Sequence, residues 1–239
     1  MTSGRSKFAM TLTALVLVLT LAGCSSFFSS VKSIFVKEPR IRMTPEAFYA
    51  RGSQEFQTGS YKQAREFYTL LKEEYPLHEL AILAELGIAD AYYSDGDYVE
   101  AEAAYRDFLV LHPTNENVPY AMYQIGMCHF QQIGAVDRDQ TETLRAKQAF
   151  ERLVARFPQS KFSMLAEKMI RDCKQKLAEH EFYVGNFYFK LKLYTAALGR
   201  FETIRREYSG VGLDYRVERY IEETKARLAA QPKDEQNAP

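Results

Sequence analysis

From residue 44 to residue 230, apolar side chains recur every three to four positions, and charged or amide side chains fill the intervals. No stretch alternates apolar with polar residues as a half-buried strand does, and none carries the paired turn residues of a hairpin. The pattern predicts amphipathic helices of about 12–16 residues, laid down in pairs. Two segments depart from it. Phe8 to Leu21 is an uncharged, almost continuous apolar run, and Lys161 to Lys190 keeps helical period without a proline or turn signal, predicting one long helix.

The pairs repeat. Gly59, Tyr61, Ala64, Tyr68 and Pro76 return as Gly96, Tyr98, Ala101, Tyr105 and Pro113, each displaced by 37 positions. A third copy runs Ala146, Phe150, Leu153, Pro158. A fourth runs Ala197, Phe201, Ile204, with Ser209 where proline would stand. This framework resembles the tetratricopeptide repeat. Small residues midway along the first helix of each pair (Gly52, Ala89, Gly126, Gly185) let the second helix approach, and the early alanine of the second helix does the same. The large residue four positions later fills the gap, and proline ends the helix because it has no N–H to donate. Thr44-Pro45-Glu46 suits the start of the first helix. Leu213 to Leu228 places Leu213, Val217, Tyr220, Ile221 and Leu228 on one side and reads as a capping helix. The alanine interval widens from 37 to 45 and then 51, which implies an insert around Ile133–Leu144 and the long helix. The expected fold is therefore all-α: a tetratricopeptide-repeat array of about five helix pairs, with a long helix between the third and fourth. Repeats 1–3 occupy 44–158; the long helix, repeat 4 and the cap occupy 159–230.

The apolar run at the start changes the picture of where the protein works. Arg5 and Lys7 precede it, and it is shorter than the roughly 20 residues that span a bilayer. It closes on Leu21-Ala22-Gly23-Cys24, which looks like the lipobox of bacterial lipoproteins. Residues 1–23 are read as a cleaved signal peptide and Cys24 as the lipidated N-terminus. More than one acyl chain makes such an anchor firm. Residues 24–43 form a flexible lipidated tether, and the polar 231–239 a disordered tail. Ser25 after the cysteine, in enteric-type sorting, directs a lipoprotein to the outer membrane.

Charge and cysteine content narrow the function. Without residues 1–23 the chain has 29 basic and 31 acidic residues, a balance that gives nucleic acid no basic stripe to bind. Cys128 and Cys173 lie in helical segments and read as free, buried thiols rather than a disulfide. His180-Glu181 opens like a zinc-protease motif, but Val184 stands at the second histidine position. Asp95-Gly96-Asp97 opens like a calcium loop, yet Val99 and Glu100 break it, and it reads as a turn between helices. No nucleophile elbow or phosphate loop is present, and the four histidines are dispersed. Neither a catalytic site, a metal site nor a cofactor is expected, apart from the lipid on Cys24.

Particular stretches tie the chain to one family. His112-Pro113-Thr114 through Val118-Pro119-Tyr120-Ala121-Met122-Tyr123, the insert Asp137-Arg138-Asp139-Gln140-Thr141, the turn Arg156-Phe157-Pro158-Gln159-Ser160-Lys161-Phe162 and Leu177-Ala178-Glu179-His180-Glu181 carry the resemblance. Over about 200 residues the chain resembles the BamD (ComL) family of outer-membrane barrel-assembly lipoproteins. The resemblance implies a non-enzymatic scaffold on the periplasmic face of the outer membrane. Its partners would be the barrel-assembly protein, bound through POTRA domains, unfolded β-barrel precursors and other assembly lipoproteins. Arg206, with Glu207 and Tyr208, aligns with the family's docking segment; read alone, Arg206 is equally a cation facing a negative helix end. For precursors, the first helices of the pairs present Tyr49, Ser53, Phe56 and Gln57, then Leu86, Asp90 and Tyr93, then Tyr123, Met127 and Phe130. Rings among amide and hydroxyl groups suit an extended peptide. Phe56 and Phe130 fit the inter-repeat core equally well. A repeat lipoprotein serving pilus or cell-wall assembly is the alternative.

Overall fold

Proline and left-handed residues set where most of the helices stop. The computed structural model describes residues 43–231, and these form α1 (Pro45–Gln57), α2 (Tyr61–Glu74), α3 (Glu79–Asp95), α4 (Tyr98–Leu111), α5 (Val118–Gln131), α6 (Thr141–Arg156), α7 (Lys161–Lys190), α8 (Tyr194–Glu207) and α9 (Asp214–Ala230). The signal peptide, Cys24, the tether up to residue 42 and the tail from 232 lie outside the described residues. Among the described residues no helix is long and apolar enough to cross a membrane.

Within the first two pairs the turn is made by Gly59 and Gly96, both at positive φ, a region closed to most side chains. Lys192 takes the same conformation between α7 and α8. At the far end of α2, α4 and α6 the backbone N–H of Tyr75, His112 and Phe157 donates to Leu71, Phe108 and Leu153, and a proline follows each. Tyr208 donates to Ile204 in the same way after α8. Ser209 replaces proline there, and Gly210 and Gly212 at positive φ reverse the chain instead.

Each pair is locked by a ring pressed against the small position of its partner helix. A Cβ added to Gly52 would lie 2.6 Å from the Tyr68 ring, one on Gly126 2.4 Å from Phe150, and one on Gly185 2.7 Å from Phe201. All four rings at this register, Tyr68, Tyr105, Phe150 and Phe201, are buried. Gly87, which the repeat pattern did not single out, covers the other side of Tyr68, its added Cβ 2.7 Å away. Tyr68 is thus held between glycines of consecutive pairs, which fastens one repeat to the next.

The long helix has the bounds its sequence pattern predicts. Ser160 caps it, its hydroxyl accepting from the Phe162 N–H at 3.2 Å. The N-terminal half puts Ala166 and Cys173 into the cluster of Phe150 and Leu153 on α6. The C-terminal half is the first helix of the last pair, with Phe182 and Gly185 against Phe201 of α8. Counted once, the nine helices of the described residues make four pairs and a cap where about five pairs were expected, because the first half of α7 stacks on α6 without a second helix of its own.

Counting from the prolines shows why α7 does not turn back midway. Eight and fifteen positions after Pro76, Pro113 and Pro158 stand Ala84 and Ala91, Ala121 and Cys128, Ala166 and Cys173, all fully buried. Thirteen positions after stand Ala89, Gly126 and Arg171. The small residue that admits a second helix is replaced in α7 by an exposed arginine. No helix pairs there, and α7 runs on for about four further turns.

Both remaining cysteines are free and buried, Cys128 in α5 and Cys173 in α7, and burial pushes each thiol up to about 12. Asp95-Gly96-Asp97 is the α3–α4 turn; Arg65 lies over the Tyr92 ring at 4.4 Å and reaches Asp95 at 2.8 Å. The insert occupies residues 132–140, because α6 starts early, at Thr141. Asp139 accepts the Thr141 N–H at 2.9 Å, and the Gln140 amide donates to the Ala135 and Arg138 carbonyls. His180 of α7 donates through Nδ1 to the Val136 carbonyl at 2.6 Å, fixing the loop to the long helix.

Candidate functional site

The first helices of the first three pairs carry the expected peptide-binding side chains, and the repeat sets which way each faces. On α1, Tyr49 is half-buried with its ring 5.6 Å from that of Tyr68, whose hydroxyl is 3.1 Å from the Ser53 hydroxyl. Phe56 packs edge-on against Tyr61 at 5.5 Å, within its own pair. On α3, Tyr93 packs edge-on against Tyr98 at 5.4 Å, and its hydroxyl accepts from the Gln131 amide of α5 at 3.0 Å. On α5, the Tyr123 ring stands 5.6 Å from Phe150 and 6.0 Å from Phe162. Phe130 joins the Phe150 cluster, with the Lys176 ammonium 6.0 Å from its ring centre. Burial pushes the phenols of Tyr93 and Tyr123 above their ordinary range.

Two side chains expected on this surface have other duties. Leu86 is buried in the core of repeats 2 and 3. Asp90 sends one carboxylate oxygen into a polar knot, accepting from the Tyr105 hydroxyl at 2.5 Å and from the Tyr120 hydroxyl at 2.6 Å. The Gln124 amide donates to both phenol oxygens, at 3.3 Å and 3.2 Å. Burial raises the Asp90 carboxyl, opposed by the two hydroxyls. A buried polar group costs free energy unless bonded, and here every member has partners, so the knot fixes the angle between repeats 2 and 3. Sequence reading missed Tyr120 and Gln124, whose spacing of four, one helical turn, was the available signal.

The expected docking segment lies at the end of α8. Arg206 is exposed and pairs with its neighbour Glu207 at 2.9 Å. Tyr208 is half-buried among Phe182, Phe201 and Val217, which raises its phenol. Behind it, α9 closes the array with Val217, Ile221 and Thr224 buried. The Arg216 guanidinium sits 4.1 Å from the centre of the Phe182 ring.

Residues 41–238 match the family described as YfiO, outer membrane lipoprotein. The chain belongs to this family. It is 28% identical over 196 residues to the outer membrane protein assembly factor BamD of Caulobacter vibrioides, a match covering 82% of this chain and 63% of that one. It is 32% identical over 193 residues to the same factor of Neisseria meningitidis serogroup A, covering 77% of this chain and 70% of the relative. Among solved structures, the TPR2AB domain of yeast Sti1 in its pHSP90 complex is 17% identical, with a TM-score of 0.44, covering 77% of this chain and 70% of that one. The family agrees with the resemblance carried by the insert and its flanking stretches, and the helical array with the expectation drawn from the repeats.

Proposed function

We propose that the protein is a lipid-anchored scaffold of outer-membrane β-barrel assembly, held by Cys24 on the periplasmic face of the outer membrane. The observation that carries this is family membership across residues 41–238, joined to a repeat array that divides into two parts along α7. Repeats 1–3 receive unfolded barrel precursors along Tyr49, Phe56, Tyr93, Tyr123 and Phe130. Repeat 4 and α9, through Arg206, Glu207 and Tyr208, hold the barrel-assembly protein by its POTRA domains, and other assembly lipoproteins join the complex. Partly exposed tyrosines favour this role, because ring faces hold apolar groups in any sequence context and the hydroxyls meet free backbone.

The test is a crossed titration. Replacing Tyr49, Tyr93 and Tyr123 with alanine should weaken binding of an aromatic-ended β-strand peptide, at about 1 kcal/mol per lost ring contact. That variant should still capture the barrel-assembly protein. Arg206→Glu should behave oppositely, losing the barrel-assembly protein and keeping the peptide. A folded variant that loses both ligands would refute the division. Mass spectrometry of the mature N-terminus should find an acyl-modified Cys24, and Cys24→Ala should release a folded domain from membranes.

A further inference from the structure

The register that stacks the repeats leaves one face of α7 without its usual cover. Two residues before and two after the small position, the first helix of a pair packs on the pair before it. In α3 these positions are Gly87, lying on Tyr68, and Ala91, fully buried. In α5 they are Gln124, bonded to the Tyr105 hydroxyl, and Cys128, fully buried. In the last pair, counted from Gly185, they are Tyr183 and Phe187. Because no helix pairs with the first half of α7, nothing among the described residues covers them. Tyr183 is 48% exposed, Phe187 54%, and Leu191, one turn further, 53%.

The array's own start shows what a face meant for water looks like. There the same positions, counted from Gly52, hold Ala50 and Gln54, small or polar and exposed. Two rings and a leucine on a solvent face are a different choice. They form a stripe of about 12 Å, two helical turns. The insert borders it at the N-terminal end, where Val136 is tied to His180.

Charge around the stripe indicates what covers it. Lys190 and Lys192 make no ion pair among the described residues, whereas Glu179 is bonded by Gln175 and Glu181 by Arg200. The rim thus offers uncommitted positive charge. We infer that Tyr183, Phe187 and Leu191 seat an amphipathic helix of another protein, with acidic residues edging its apolar stripe, in the place of the second helix that the array lacks. The family's aligned docking segment at Arg206 and the aromatic groove play no part in this contact, so Arg206→Glu and the triple tyrosine variant should leave it intact. Its failure is therefore separable from theirs.

The probe is a fluorescein-labelled 16-residue leucine helix edged with glutamates, with a lysine-edged twin, titrated against the mature protein by anisotropy. The glutamate-edged helix should bind saturably and better than its twin. Phe187→Ala and Tyr183→Ala should each weaken it at least tenfold, without changing the melting temperature. Lys190→Glu should shift preference toward the lysine-edged twin. In cells, benzoyl-phenylalanine in place of Phe187 should crosslink to a helical segment of a different protein. Equal binding of the twins, or indifference to Phe187→Ala, would overturn the inference. So would crosslinks to a second copy of the chain, to lipid alone or to an extended segment, or no crosslink at all.

Discussion

Tyr68 shows what one side chain must do in a stacked repeat. Its ring fills the gap between α1 and α2, its far side meets Gly87 of the next pair, and its hydroxyl engages Ser53. The glycines beneath such rings cannot be enlarged cheaply. Gly126→Leu drives a side chain into Phe150 and should destabilise the protein by about 3 kcal/mol or more; a chemical-denaturation midpoint equal to the parent's would contradict the close crossing. Cys128 and Cys173, with thiols pushed up to about 12, should ignore a thiol reagent at pH 8 in the native state and both react once unfolded in guanidinium. Asp90 offers a sharper test. Its folded carboxyl titrates above its unfolded value, so the native state binds that proton more readily. The resulting stability is full below the ordinary carboxylate range and is lost as pH rises through the raised value. Asp90→Asn keeps an acceptor for both tyrosine hydroxyls and removes the ionisation. Its stability relative to the parent should therefore improve as pH rises from 3.5 to 7, and parallel melting profiles across that range would show that Asp90 is not held in this way.

At the scale of elements, the helices were legible from their local period, and their small-to-large contacts because the same residue types return at the same places in successive repeats. Gly52, Ala64 and Tyr68, or Gly126, Ala146 and Phe150, state the crossing in the chain itself. The insert was harder. Its expected end at Leu144 moved to Gln140, since Asp139 and Gln140 together start α6 early. Its fixed point on α7 joins residues 44 positions apart, beyond any local period. The Asp90 knot escaped because the repeat does not carry it: the position after the small residue holds Ser53, Met127 and Asn186 elsewhere, and Tyr105 and Tyr120 reach Asp90 from 15 and 30 positions away. His180→Ala should therefore loosen the insert specifically. Hydrogen exchange of residues 132–140 should quicken while α5 and α6 stay protected, and global stability should fall by no more than about 1 kcal/mol.

Taken whole, the molecule from Pro45 to Gln231 is a stack in which each pair leans on its neighbours, so stability accumulates by contact rather than in a single core. The exception is α7, where the two halves share one uninterrupted backbone hydrogen-bond ladder. A helix advances about 100° of rotation with each residue. The long helix is thus a dial as well as a rod: the number of residues between Cys173 and Gly185 sets the phase at which repeat 4 faces relative to repeats 1–3. One alanine added after Gln175 should leave helix content nearly unchanged by circular dichroism yet swing α8 and α9 by about 100°, and on the proposed function support of barrel assembly in depleted cells should fail. Seven added residues return the phase to within about 20° and lengthen the rod by about 10 Å, and should restore much of that support. If the two insertions behave alike, distance rather than angle is what α7 keeps.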